Sequence, residues 1–296
     1  MDITVKNLKK SFDETKALNG VSFNVKTGEA FGLLGRNGAG KTTIIRSILG
    51  IINQDSGEIL LDGKDIRKSK VRFGYLPEER GLYLKYKVSE QLIYFGQLNG
   101  LNKSKAKQSI LYWLDKFHVS NYYNRRVDEL SKGNKQKIQL IAAILHDPDI
   151  IILDEPFSGL DPVNVELFKN IIKDLLNKNK TLLFSSHQMN DVDEFCSNIA
   201  MLKSGQIVLQ GSIDELKEKY SEKQVLVSTY ENIRNIINEM NIKEVEIKGN
   251  NYILEYTSSK TIKEFLSKLL SLNLHLEKFE YLKPSLNDIF LKQLGD

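Results

Sequence analysis

The chain has 296 residues, 41% hydrophobic and 27% charged, with a formal net charge of +4. That length and apolar content suit about two globular domains, each with its own core. No run approaches the roughly 18 apolar residues of a membrane span, the lone Cys196 excludes an internal disulfide framework, and basic residues spread through mixed-sign runs argue against nucleic acid as a partner.

The opening stretch alternates in polarity through Ile3-Thr4-Val5 and again from Leu18 to Val25. This predicts half-exposed antiparallel strands, a small β layer ahead of the main sheet. Met1 to Lys6 lack the apolar stretch of a secretory leader, so a cytoplasmic location is expected. Residues 29–34 then form a short apolar run fit for a buried strand, and residues 43–50 carry helical spacing. Between them lies Gly35-Arg36-Asn37-Gly38-Ala39-Gly40-Lys41-Thr42, followed by Thr43. Strand, glycine-rich loop and helix are the context in which G-x-x-x-x-G-K-[ST] binds phosphate. Gly35, Gly38 and Gly40 permit backbone angles closed to other residues, so successive N–H groups converge on phosphate oxygens at the positive helix start. Lys41 is expected at the β and γ phosphates of ATP, and the Thr42 hydroxyl on Mg²⁺.

Residues 85–147 show helical periodicity with few strand signals and predict an inserted helical subdomain. Within it, Leu130-Ser131-Lys132-Gly133-Asn134 sets Ser131 and Gly133 just before an apolar helical run, a second anion-binding helix start. Ile150-Ile151-Ile152-Leu153-Asp154-Glu155 is an apolar strand ending in two carboxylates, placed to face the phosphate loop from the carboxyl edge of a parallel sheet. Asp154 is assigned to Mg²⁺, and Glu155 to the water that attacks the γ-phosphate. Thr181 to Ser186 repeat the design and end at His187, a side chain that can donate to a γ-phosphate oxygen. His118, His146 and His275 lack such a setting and are expected at the surface or core edge, and Cys196 in the core.

The alternation of strand-like and helix-like segments over residues 1–220 predicts an α/β domain with a mostly parallel sheet. Residues 221–296 read strand, helix, two strands around Gly249-Asn250, helix, strand, which predicts a small split-βαβ, ferredoxin-like α+β domain. A last helix from Leu286 to Leu294 follows Ser285, with Asp288 placed for a capping box.

Phosphate loop, Leu-Ser-x-Gly helix start, Asp-Glu strand, Ser158-Gly159-Leu160-Asp161 and His187 come in the order seen in ABC ATPases, and residues 1–220 resemble that P-loop NTPase family. The resemblance implies a homodimer, or a pair with a paralogous subunit, in which Ser131 and Gly133 of one copy close over ATP held by the other. It also implies that Phe12 stacks on adenine and that Asp161 belongs to a loop crossing the dimer. Two departures stand out: the signature has Lys132 and Asn134 where many members have glycine and glutamine, and Glu78 stands where many carry a glutamine reaching Mg²⁺ and the water. Tyr75 to Tyr83, the signature and the Pro284 to Phe290 tail look like the ATPases of bacterial sodium-efflux-type ABC exporters. That implies a separate transmembrane permease, contacted through residues 81–88, and a peripheral place at the inner face of the membrane. The alternative is an ABC ATPase acting on ribosomes or DNA. It is disfavoured by the single phosphate loop and by the short span between Lys41 and Ser131.

Overall fold

The structure, a computed structural model, describes residues 1–79 and 81–294, so Arg80 of the Glu78 stretch lies outside the described residues. The chain divides into two compact units, Met1–Ser212 and the residues from Ile213 onward.

The first unit opens with a hairpin of β1 (Ile3–Phe12) and β2 (Thr15–Val25), followed by β3 (Ala30–Leu34) and α1 (Lys41–Ile48). Next come β4 (Ser56–Leu61), β5 (Lys64–Asp65) and β6 (Phe73–Leu76), then the helices α2 (Val88–Leu98), α3 (Lys103–Lys116) and α4 (Lys132–Ile144). The unit ends with β7 (Ile150–Asp154), α5 (Pro162–Asn177), β8 (Thr181–Ser186), α6 (Met189–Phe195), β9 (Asn198–Lys203) and β10 (Gln206–Ser212).

Two sheets result. An antiparallel sheet, in the order β2-β1-β4-β5, is the expected N-terminal layer; a six-stranded sheet, β10-β9-β3-β8-β7-β6, is parallel except at β10. Helix α1 buries Ile44, Ile45 and Ile48 in one cluster with Val21 and Phe23 of the first sheet and Leu33, Ile152 and Leu183 of the second. Each fully buried aliphatic side chain contributes about 1.5–3 kcal/mol, so this helix ties both sheets to the loop it follows. Strands β3, β7 and β8 are buried along their whole length, as the apolar stretches 30–34, 150–153 and 182–184 require of central parallel strands, and their polar ends Asp154, Ser185 and Ser186 are buried with them.

The helical subdomain is capped where the sequence allows. The side chain of Asn102 accepts from Lys105 N at 2.9 Å at the start of α3, and Ser131 accepts from Asn134 N at the start of α4. Helix α3 stops at Phe117 because His118 turns to φ +55.

The second unit runs α7 (Ile213–Lys219), β11 (Gln224–Thr229), α8 (Arg234–Glu239), β12 (Lys243–Lys248), β13 (Asn251–Glu255), α9 (Ser259–Ser271), β14 (Leu276–Leu282) and α10 (Leu286–Leu294). Its strands pair antiparallel in the order β12-β13-β11-β14, the split-βαβ arrangement. Val225, Val227 and Leu254 on the sheet pack with Ile237, Ile262, Phe265 and Leu269 from the helices. At α10 the capping box forms: Ser285 N donates to Asp288 Oδ2 at 2.9 Å and Asp288 N to Ser285 Oγ at 3.2 Å. The break falls at Ser212 instead of near residue 220, because α7 packs with α10, and Gln293 Nε2 donates to Tyr220 Oη at 2.9 Å.

Candidate active site

Strand register gathers the chemistry. Leu34 lies opposite Ser186 in the β3–β8 pair and Asp154 opposite Ser185 in the β7–β8 pair, so Gly35, Glu155 and His187 all leave the sheet at one carboxyl edge. The loop between β3 and α1 needs its glycines. Gly40 has φ +110, and a Cβ there would meet Leu18 Cδ2 at 2.8 Å and the Ala17 carbonyl oxygen at 2.9 Å. Gly38 has φ +80 but open space around it, so its constraint is backbone conformation alone.

Residues 36–43, Ala17 and Glu78 line a pocket of about 280 Å³. Inside the loop, Lys41 is almost wholly buried: Nζ donates to Gly35 O at 2.7 Å and lies 3.2 Å from Glu155 Oε1, an ion pair without hydrogen-bond geometry. The other carboxyl oxygen, Glu155 Oε2, is 2.8 Å from His187 Nδ1. Lys41, Glu155 and His187 therefore form one chain of charge and hydrogen bonds across β3, β7 and β8. Glu155 reaches it through an unusual backbone, φ +50.

Asp154 is 1% exposed. Its Oδ1 accepts from Ser185 Oγ, and its Oδ2 is buried with no hydrogen-bond partner among the described residues. Burial pushes the Asp154 carboxyl above its ordinary range and the neighbouring Glu155 adds to the rise, while the hydroxyls of Ser185 and Thr42 beside it and the Lys41 charge oppose it. Tyr75 on β6 borders the same group; burial first, then the Asp154 charge, raise its hydroxyl's pKa, against a hydrogen bond with Arg46 of α1.

The comparisons with known proteins decide the family. Residues 18–158 match the family described as ABC transporter, and residues 211–294 match the ATP-binding protein DrrA1-3-like, C-terminal domain. An uncharacterized ABC transporter ATP-binding protein of Bacillus subtilis (strain 168), YhaQ, is 40% identical, over 99% of this chain and 98% of the relative. The ABC transporter ATP-binding protein NatA of the same organism is 40% identical, over 73% of this chain and 92% of its own length. The chain belongs to the ABC transporter ATP-binding proteins. A further relative, the Nod factor export ATP-binding protein I of Rhizobium sp. (strain N33), is 32% identical over 99% of this chain and 97% of its own length. The solved structure of an ATP-binding subunit of an ABC transporter matches with a TM-score of 0.69 at 28% identity, over 74% of this chain and 93% of that one. As a member of the family, this ABC protein binds ATP and is an ATPase.

Other site residues expected of an ABC ATPase do not line this pocket. Ser131 and Gly133 head α4 beside the start of α5, where a Cβ on Gly133 would meet Asn164 Nδ2 at 3.0 Å and Leu160 Cδ2 at 3.8 Å. Asp161 caps α5, accepting from Asn164 N at 3.0 Å and Asn164 Nδ2 at 2.6 Å. None of the three is among the residues lining the phosphate-loop pocket. Phe12 ends β1 with 47% exposure and the Lys10 ammonium 5.4 Å from its ring centroid, on the hairpin that sends Ala17 to the pocket. The signature's Asn134 donates through Nδ2 to Tyr122 Oη at 3.0 Å.

Sequence reasoning missed Ser185 and Tyr75 as neighbours of Asp154, and Arg46 as a neighbour of Tyr75. Ser185 sits two residues before His187, and that offset from a charge-bearing strand end was the available signal. His146, expected at the surface or core edge, is 2% exposed, with Nε2 donating to Phe73 O at 3.0 Å; burial lowers its pKa, which keeps the ring neutral. Cys196 is buried, and burial pushes its thiol far up.

Proposed function

We propose that this chain is the ATP-hydrolysing subunit of an exporter, paired head to tail with a second copy around two ATP molecules and driving a separate membrane permease. The observation that carries this reading is a site in two halves. Lys41, Glu155 and His187 touch one another at the phosphate loop, with Asp154 at the same sheet edge, whereas Ser131 and Gly133 head α4 and, among the described residues, make no contact with them or with the pocket lining. A second copy supplies the missing donors, because Ser131 and the start of α4 form an anion-binding helix terminus.

In this reading the loop N–H groups and Lys41 hold the phosphates, and Phe12 carries the adenine. A triphosphate is a stronger partner for Lys41 than one carboxylate, so ATP takes the ammonium and leaves Glu155 to the attacking water. His187 fixes the orientation of Glu155 through Nδ1 and presents its partly exposed ring to the γ-phosphate. The donors fit a divalent cation: a buried oxygen, Asp154 Oδ2, has no hydrogen-bond partner, and the Thr42 hydroxyl is beside the same carboxyl. Thr42 and Asp154 would hold Mg²⁺, with Glu78 reaching it from the pocket wall. The ion supplies charge neutralisation of the β and γ phosphates.

Among the described residues no helix is long and apolar enough to cross a membrane. In this reading the permease is a separate partner. Tyr83, Tyr86 and Tyr94, all more than half exposed, line a cleft of about 590 Å³ with Glu90 and Gln91, and exposed aromatic surface of this kind suits protein contact. The cleft takes in residues 83 and 86 of the segment expected to meet the permease. The Nod factor export relative, matched over nearly the whole chain, supports export.

Hydrolysis by the purified chain, with Glu155→Gln as control, tests the motor. Glu155→Gln should cut turnover by about two orders of magnitude while ATP drives a stable dimer in light scattering. A variant that keeps its turnover would move the catalytic role away from Glu155, and purification from membranes without any permease would remove the exporter.

A further inference from the structure

Strands β7 and β8 run parallel with Asp154 opposite Ser185. At this register the Ser185 hydroxyl, wholly buried, serves both carboxylate residues. Its single proton goes to Asp154 Oδ1, and its lone pair accepts the backbone N–H of Glu155 at 3.1 Å. The consequences differ at the two ends. At Asp154, tying Oδ1 to a neutral donor leaves Oδ2 as the unpartnered oxygen. At Glu155, that N–H, shared between Ser185 Oγ and Ser185 O, helps hold the first residue beyond the strand in a left-handed conformation, φ +50, from which the side chain reaches both Lys41 and His187. Few side chains adopt that conformation unsupported.

We propose that Ser185 is a positioning residue for ATP hydrolysis: one buried hydroxyl orients the Asp154 carboxylate toward the cation and holds the turn that aims Glu155. The inference rests on Asp154 holding Mg²⁺. Ser185 touches neither nucleotide nor water in this scheme and acts only through its two neighbours. The backbone supports the strand without it, since Ser185 O also accepts from Glu155 N at 3.2 Å. Removing the hydroxyl therefore leaves the β7–β8 register in place and strips Asp154 Oδ1 of its donor.

The test compares Ser185→Ala and Ser185→Cys, the latter similar in volume but a weak donor, with Asp154→Asn as the control on the underlying reading. Three quantities are read on the full chain: turnover, the Mg²⁺ concentration for half-maximal hydrolysis, and affinity for a fluorescent ATP analogue in Mg²⁺ and in EDTA. Loss of one hydrogen bond to a charged acceptor should lower turnover about tenfold or more in both Ser185 variants. The Mg²⁺ midpoint should rise severalfold, and the analogue should lose affinity in Mg²⁺ but not in EDTA. An equal loss of affinity in both buffers with a lowered melting temperature would make Ser185 structural only and overturn the proposal. Wild-type turnover and Mg²⁺ midpoint in either variant would overturn it as well. If Asp154→Asn shifts the midpoint and Ser185→Ala does not, only the role of Ser185 falls; if Asp154→Asn shifts nothing, the reading of Asp154 falls first.

Discussion

Lys41 shows how much one side chain carries. Its ammonium is buried, bonded to Gly35 O and paired with Glu155. Lys41→Ala should abolish binding of a fluorescent ATP analogue. It should also destabilise the fold by about 3 kcal/mol, since removing one partner strands a buried charge. Adding Glu155→Gln to Lys41→Ala should restore part of that stability in denaturant titrations, which distinguishes a stranded charge from a simple packing loss. Asp154 gives the opposite sign. Its folded-state pKa is raised, mainly by burial, so the native state binds its proton more tightly than the unfolded chain does. The contribution of Asp154 is therefore most favourable below the unfolded carboxylate range and is lost as pH climbs through the raised value; at neutral pH the charge costs stability. Asp154→Asn should melt higher than the parent at neutral pH without nucleotide, the difference shrinking as pH falls below the ordinary carboxylate range. A lower melting temperature at neutral pH would mean that the Lys41 charge outweighs burial.

At the scale of elements, the loop between β3 and α1 separates two demands on glycine. Gly38 and Gly40 both have positive φ, but only Gly40 is crowded, by Leu18 and the Ala17 carbonyl. Gly38→Ala should cost about 1 kcal/mol of conformational strain and keep ATP binding. Gly40→Ala has to push the hairpin away from the start of α1 as well, so it should unfold at markedly lower denaturant and lose ATP binding. Equal midpoints for the two would remove the steric argument. Elements also differ in how plainly they could be read. The runs at residues 30–34, 150–153 and 182–184 are apolar, and each lies in a strand that is buried along its whole length. Strands β4 and β6 carry no such signal, because Ser56-Gly57-Glu58 and Phe73-Gly74-Tyr75-Leu76 are short or mixed, and their sheet neighbours make them strands.

For the whole molecule, the question is whether one copy suffices. Ser131 accepts its cap bond from Asn134 N at 3.4 Å, so Ser131→Ala should cost the isolated chain no more than about 0.5 kcal/mol. If Ser131 closes over ATP on a second copy, the same change should abolish the ATP-driven dimer in a Glu155→Gln background. Sedimentation of Glu155→Gln with and without Ser131→Ala checks this, and an undiminished dimer would sink the cross-subunit site. The fold class was legible at this scale too: the N-terminal antiparallel layer, the parallel sheet, the helical subdomain and the small α+β unit each carry a distinct period or composition.

What the sequence determined by itself is what depends on near neighbours along the chain: the spacing of Gly35, Gly40, Lys41 and Thr42, the strand that ends at Asp154 and Glu155, and the capping box at Ser285 and Asp288. Covalent spacing and local periodicity suffice for these. Tertiary structure alone decided that Lys41, Glu155 and His187 share one chain of contacts, that Ser185 stands under both carboxylates, and that α7 belongs with α10. Those facts depend on the register of strands whose contacting residues stand from 30 (Glu155 and Ser185) to 114 (Lys41 and Glu155) positions apart, or on the packing of helices from opposite ends of a domain, and no local pattern encodes either.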